Sequence, residues 1–254
     1  MLTLSANDLL QIWEWGQGQA PLHQALVILA TAYPSVPPEQ LAGLPIGQRD
    51  AQLLQVRSHT FGSQLQAVAT CPSCSEALEF GLAINDLTVT PIEPLTEAAP
   101  LGPRLYHWYQ EDYQLTFRLP TSADLLSLSQ FSPEQAQEKL LQRCLQSLKK
   151  AQTDIPTTEL PTALRSSLEI HMAQQDPQAD LQLNLCCPAC RHQWLQLFDI
   201  VSFLWREIAS AAQRLLQEVH LLASVYSWHE ANILSMSPQR RNAYLQLIME
   251  QPGQ

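Results

Sequence analysis

Positive charge is what this sequence has least of. Fourteen Lys and Arg stand against 24 Asp and Glu in 254 residues, a formal net charge of −10. A surface of that balance has no broad attraction for phosphate backbones or anionic membranes. The densest basic pairs, Lys149-Lys150 and Arg240-Arg241, are isolated. Uninterrupted apolar runs of about 18 residues are also missing, so no membrane-spanning helix is expected. The opening "MLTLSANDLLQIWEWGQG" lacks the basic segment, apolar run and small-residue cleavage site of a secretory leader. The expectation is a cytoplasmic chain whose thiols stay reduced.

Catalytic signatures are absent too. There is no GxSxG elbow, GxGxxG or GxxxxGK[ST] loop, and the seven histidines show no HExxH spacing. Glu111-Asp112 could be imagined as an acid/base pair, but between strand-like segments it reads better as a solvated turn. Tyr106, Trp108, Tyr109 and Tyr113 could stack single-stranded bases, but without basic company they read as a packed strand face or a protein contact. No enzyme is expected.

What is present is helical periodicity interrupted twice by cysteine turns. Residues 1–62 form an N-terminal helical region, with Gly62 as a C-cap. Residues 63–120 hold a first CPxC hairpin, a Pro-rich linker at 88–104 and a pair of strands around Glu111-Asp112. Residues 121–178 read as a helical insertion. Its main helix starts at Ser132, with Pro133 first and Gln135 at the reciprocal capping place, and places Lys149 and Lys150 in its last turn. Residues 179–254 hold a second CPxC hairpin, a helix over roughly 199–226 and a short helix after Ser237-Pro238. The long helix carries a stripe of Leu204, Ile208, Leu215, Val219, Leu222 and Tyr226, with Arg214 and Glu218 as an i,i+4 pair. The fold class is α+β, mostly helical, with a small zinc-ribbon-like antiparallel module formed by the two hairpins.

The cysteines carry the chemistry. Cys71 and Cys74 in "CPSC" match Cys187 and Cys190 in "CPAC" in spacing and in the Pro after the first cysteine. Two such knuckles at hairpin tips can supply four thiolates in a tetrahedron, the arrangement of a structural zinc site with no open position for a substrate. The separation is unusual, since 112 residues (75–186) lie between the pairs, against about 15–20 in a compact ribbon. A single shared zinc, a long-range staple across the insertion, is the preferred reading. Redox disulfides fit less well, because a thioredoxin-type CxxC opens a helix. Iron also suits four thiolates. Cys186 is expected to be a buried small hydrophobe, Cys144 a core residue, and His192 a non-ligand.

An ordered series of segments resembles a known family. "LPIGQRDAQLLQVRSHTFG" runs into "CPSC", then "FRLPTSADL", then "CPAC" with "FDIVSFLWREI" and "LLQEVHLLASVYSWHEANILSMSPQRRNAYLQLI". Over roughly 40–250 this is similar to the cysteine-knuckle baseplate or baseplate hub-assembly proteins of contractile phage tails and phage-tail-like injection systems. The resemblance implies a structural or assembly role, with one zinc on Cys71, Cys74, Cys187 and Cys190, other baseplate or tail proteins as partners, and possible incorporation in a tail-like particle. A Gly commonly follows a CPxC knuckle, giving the turn a free φ, whereas Ser75 and Arg191 stand there in this chain. The alternative is a zinc-ribbon nucleic-acid-binding or regulatory protein. The knuckle flanks oppose it, with Glu76, Glu79, Asp86, Asp180 and Asp199 against Arg191 alone.

Overall fold

The computed structural model describes residues 3–89, 91–92, 94–95 and 103–250. Of the Pro-rich linker expected at 88–104, residues 90, 93 and 96–102 lie outside the described residues.

Chain order alternates helical and hairpin blocks. Helices α1 (Ala6–Gly16), α2 (Pro21–Ala32), α3 (Pro38–Ala42) and α4 (Ile46–Phe61) come first. Ser5 and Asp8 form a reciprocal capping box at α1, and Gly62 ends α4 at φ 93°. Strands β1 (Gln64–Thr70) and β2 (Ala77–Ala83) make the first hairpin, followed by α5 (Ile84–Leu87). Then come β3 (Leu105–Gln110), β4 (Tyr113–Arg118), α6 (Ser122–Leu128), α7 (Pro133–Cys144), β5 (Leu145–Lys150), β6 (Thr153–Ile155) and α8 (Thr162–Gln175). The second hairpin is β7 (Gln182–Cys186) and β8 (Gln193–Leu197), leading into α9 (Ile200–Tyr226), α10 (Glu230–Leu234) and α11 (Pro238–Glu250). The fold is mostly helical with small antiparallel sheets, as the sequence suggests. Among the described residues, no helix is long and apolar enough to cross a membrane.

Among the described residues, three clusters of buried side chains organise this. The largest joins α1, α2 and α4 to the first half of α9, through Ile12, Ile28, Leu53, Leu204 and Ile208. Leu65, Leu82, Leu183 and Phe198, near the bases of the two hairpins, belong to it as well. The second lies between the sheet β3-β4-β5-β6 and helices α7 and α8, with Phe117, Leu148 and Leu168 at its centre. The third is small, holding Leu222, Ile233 and Leu245 under Tyr226, Trp228 and Tyr244 at the far end of α9.

The insertion differs from its sequence expectation. Helix α7 stops at Cys144, and Lys149 and Lys150 lie in β5 rather than in a last helical turn. The reason is a bulge. Thr116 pairs with Ser147 but Phe117 with Leu145, so Gln146 is the extra residue. Leu145 and Leu148, three apart as on a helix, therefore both reach the core from one strand. The β5–β6 turn, Ala151-Gln152, has φ of 47° and 73° without Gly, Asn or Asp to announce it. Ser132 does cap α7 by accepting from the Gln135 N–H at 3.4 Å, but its hydroxyl donates to Glu134 and the reciprocal Gln135 bond is not made.

Other expectations divide. Alternation along β3 and β4 turns Tyr106, Trp108 and Tyr113 toward the second core, while Tyr109 is 66% exposed. Tyr106 stacks on Phe117, and Trp108 on His171 of α8, both at 5.5 Å. Glu218 is held by Arg241 of α11 at 2.7 Å, so the tertiary pair takes the carboxylate expected to serve Arg214. The segment "FRLPTSADL" fastens the insertion to the body. Arg118 grips Asp124 with two bonds of 2.6 and 2.8 Å, Thr121 caps α6, and Pro120 accepts from the Ile46 N–H. Burial opposes ionisation of Asp124, but the Arg118 fork and the Thr121 donors outweigh it and hold the carboxyl below its usual range.

Candidate metal centre

Each knuckle is built by its hairpin. The β1–β2 ladder closes with Thr70 opposite Ala77, leaving Cys71–Glu76 as the tip. There the Cys71 N–H donates to the Glu76 carbonyl and the Ser75 N–H to the Cys71 carbonyl, both at 2.9 Å. The second tip repeats the pattern, with Cys187 N–H to the His192 carbonyl and Arg191 N–H to the Cys187 carbonyl, again at 2.9 Å. Pro72 and Pro188 fix φ at equivalent places in the two turns. The residue after each second cysteine adopts a left-handed backbone, φ 62° at Ser75 and 60° at Arg191. The turn thus keeps a geometry that usually selects glycine.

The four sulfurs predicted from sequence come together. Cys71 Sγ lies 3.6 Å from Cys190 Sγ, and Cys74 Sγ lies 3.6 Å from Cys187 Sγ. All four lie within 4.8 Å of one another. The first cysteine of each knuckle faces the second of the other, an approximate two-fold arrangement. A tetrahedron with metal–sulfur bonds of about 2.3 Å has edges of about 3.8 Å, so the cluster matches a four-thiolate zinc site in donor type and size. Among the described residues this is the one cluster of His, Cys, Asp or Glu that could hold a metal. Cys71 and Cys187 are buried, whereas Cys74 and Cys190 are exposed.

The electrostatics point the same way. Burial opposes ionisation of Cys71, but the N–H groups of Cys74 and Ser73, helped by the neighbouring thiols, bring its pKa down to about 7. At Cys74 the Glu76 N–H favours the thiolate, yet the thiols of Cys190, Cys187 and Cys71, with burial, push the pKa up to about 12. Crowding in the cluster thus favours the thiolate at Cys71 and opposes it at Cys74.

The other sequence candidates fall outside the cluster. His192 stacks on Trp194, with ring centres 6.1 Å apart. Cys144 is buried in the second core, and burial raises its thiol to about 12. Cys186 is exposed, not the buried hydrophobe expected. A two-stranded hairpin covers one face only, and alternation gives that face to Leu183 and Leu185. Sequence reasoning missed the residues that hold the hairpin bases. Arg57 of α4 binds Glu207 of α9, Asp176 accepts from the Gly47 N–H at 3.0 Å, and Gln178 bonds the backbone of Leu87 and Val89. None belongs to a local motif, so no signal pointed to them.

A family model described as T4 bacteriophage base plate protein matches residues 5–205, a span that includes both knuckles and ends inside α9. No curated protein and no solved structure matches the chain. Coverage of that extent places the chain in the T4 bacteriophage base plate protein family.

Proposed function

We propose that the chain is a zinc-stapled structural or assembly protein of a contractile-tail baseplate, of the kind found in phages and phage-tail-like injection systems, and that it acts through protein–protein contacts rather than catalysis. The observation that carries the metal is the convergence of four sulfurs from two knuckles separated by 112 residues. Cys71, Cys74, Cys187 and Cys190 would hold one ion. Four thiolates leave no open coordination position, so zinc there would supply cross-linking and charge neutralisation. The baseplate family match supports other tail proteins as partners, and the acidic composition disfavours nucleic acid.

Two measurements test this reading. Native mass spectrometry of purified chain should give one zinc per chain, lost in both Cys71→Ser and Cys187→Ser; two ions, or none, reject the shared site. A strain lacking the gene should fail to assemble normal tail-like particles, and normal assembly rejects the baseplate role. Presence or absence of the chain in finished particles separates a permanent component from an assembly factor.

A further inference from the structure

We infer that Arg57 and Glu207 are positioning residues for the thiol cluster, fixing the angle between the two hairpins so that the four sulfurs meet before any ion arrives. This rests on the four-cysteine reading above and adds residues far from the sulfurs.

The two knuckles are the free ends of levers. From Gln64 to Cys71 the first hairpin extends about 20 Å, and the second is slightly shorter. A change of about 10° at one base would move its tip by about 3 Å over such a span, close to a whole sulfur–sulfur edge. The bases must therefore be tied more tightly than apolar packing of Leu65 and Leu183 alone would secure.

Arg57 makes that tie. It is 3% exposed, and its guanidinium divides its bonds between the two halves. One terminal nitrogen donates to the carbonyls of Gly62 and Gln64, at 2.5 and 2.7 Å, the residues where the chain enters β1. The remaining edge makes a two-bond fork with the Glu207 carboxylate, at 2.9 and 2.7 Å. Glu207 lies two turns into α9, the helix that leaves the second hairpin. Asp199 caps that helix, and the Phe198 N–H bonds the Leu181 carbonyl across the hairpin base. One planar cation thus ties the start of β1 to the second turn of the helix that follows β8. A fork of this kind fixes an angle, which a lysine ammonium would not.

The second hairpin is also anchored on its entry side. Asp176 and Gln178 hold the returning chain to α4 and to the segment after α5. Protein contacts therefore hold both arms at their bases. The ion would lock a formed site, unlike a zinc finger, whose fold depends on its metal.

The test uses the full chain with Arg57→Lys and, should that variant fail to fold, Glu207→Gln. Zinc-loaded protein is mixed with excess chromophoric chelator and metal release is timed. Release should accelerate about tenfold or more in either variant, because ligands held less precisely lower metal affinity. Leu168→Ala, which weakens only the insertion core, should release at the wild-type rate. A second readout needs no metal. In a Cys74→Ser, Cys187→Ser background, the equilibrium between Cys71 and Cys190 thiols and their disulfide is measured against glutathione. Adding Glu207→Gln should lower the effective concentration of the two thiols about tenfold. An unchanged thiol equilibrium, or wild-type release in both variants, overturns the positioning role. A wild-type chain that takes up no zinc rejects the metal reading, and the thiol equilibrium then decides the positioning role by itself.

Discussion

Ser75 and Arg191 occupy the same left-handed backbone conformation at equivalent places in two knuckles separated by 112 residues. An L-residue there carries a steric cost of about 1 kcal/mol, partly balanced because glycine loses more chain entropy on folding. Ser75→Gly and Arg191→Gly should be neutral or stabilising, by up to about 1 kcal/mol each. Ser75→Val should destabilise by about 1 kcal/mol or more, since a β-branched residue tolerates positive φ poorly. Urea unfolding of the zinc-loaded chain measures all three.

Gly47 and Asp176 define how closely the returning chain docks on α4. A Cβ at Gly47 would lie 1.9 Å from Asp176 Oδ1 and 3.0 Å from the Ala179 nitrogen. The side chain of Asp176 could swing away, but only by giving up its bond to the Gly47 N–H. Gly47→Ala should therefore cost about 2 kcal/mol, near the middle of the range for overpacking. Adding Asp176→Ala should recover part of that loss, because the clash is removed while the hydrogen bond is already gone. Thermal melting of the single and double variants checks the coupling.

The Arg241–Glu218 pair sets a contrast on α9. The Arg241 side chain is 5% exposed and is also held by the Met236 carbonyl at 2.7 Å. Glu218→Ala should loosen α11 by about 1–2 kcal/mol, less than for a fully enclosed pair because the carboxylate is partly hydrated. Arg214→Ala should cost no more than about 0.5 kcal/mol. Hydrogen exchange of the α11 amides separates the two variants.

These contrasts show what sequence periodicity could and could not reveal. Helices α1, α2, α4 and α9 were legible from apolar spacing, and the end of α4 from Gly62. Both hairpins were legible because the strand–CPxC–strand order occurs twice, and that repetition also gave the four ligand candidates. Strand β5 was not, since the bulge at Gln146 lets a strand bury Leu145 and Leu148 at helical spacing. Its turn offered no Gly or Asn. Arg57 and Glu207 stand 150 positions apart, each an ordinary polar residue on a helix, so their contact exists only in the fold. Cys186 was expected to be a buried small hydrophobe, but it lies on the opposite face from Leu183 and Leu185, and the hairpin covers only one face.

Asp50 gives the protein a pH dependence of identifiable sign. Burial lifts its pKa to about 6, and the Arg49 guanidinium at 2.7 Å only partly opposes that. Protonation is then easier in the folded chain than in the unfolded one. Ionised Asp50 costs stability above about pH 6, and the cost fades as pH falls from there toward 4. Relative to wild type, Asp50→Asn should be more stable at pH 7.5 than at pH 4.5, by on the order of 1–3 kcal/mol. Equal differences at the two pH values would mean that Asp50 titrates as an exposed carboxyl.

The six cysteines should divide into three behaviours under one assay, zinc content measured beside thermal stability. Cys187→Ser should lose the ion and lower the melting temperature together, because the remaining three sulfurs cannot close the tetrahedron. Cys144→Ser should keep the ion yet destabilise by about 1–3 kcal/mol, since it places a hydroxyl where the second core is closed to water. Cys186→Ser should change neither quantity, because its sulfur is exposed and its nearest polar contacts are carbonyls at 3.9 and 4.0 Å. Loss of zinc in Cys186→Ser would instead show that adjacent sulfurs exchange at the ion. That outcome would require the second knuckle to shift its register by one residue and undo its Cys187–His192 bond.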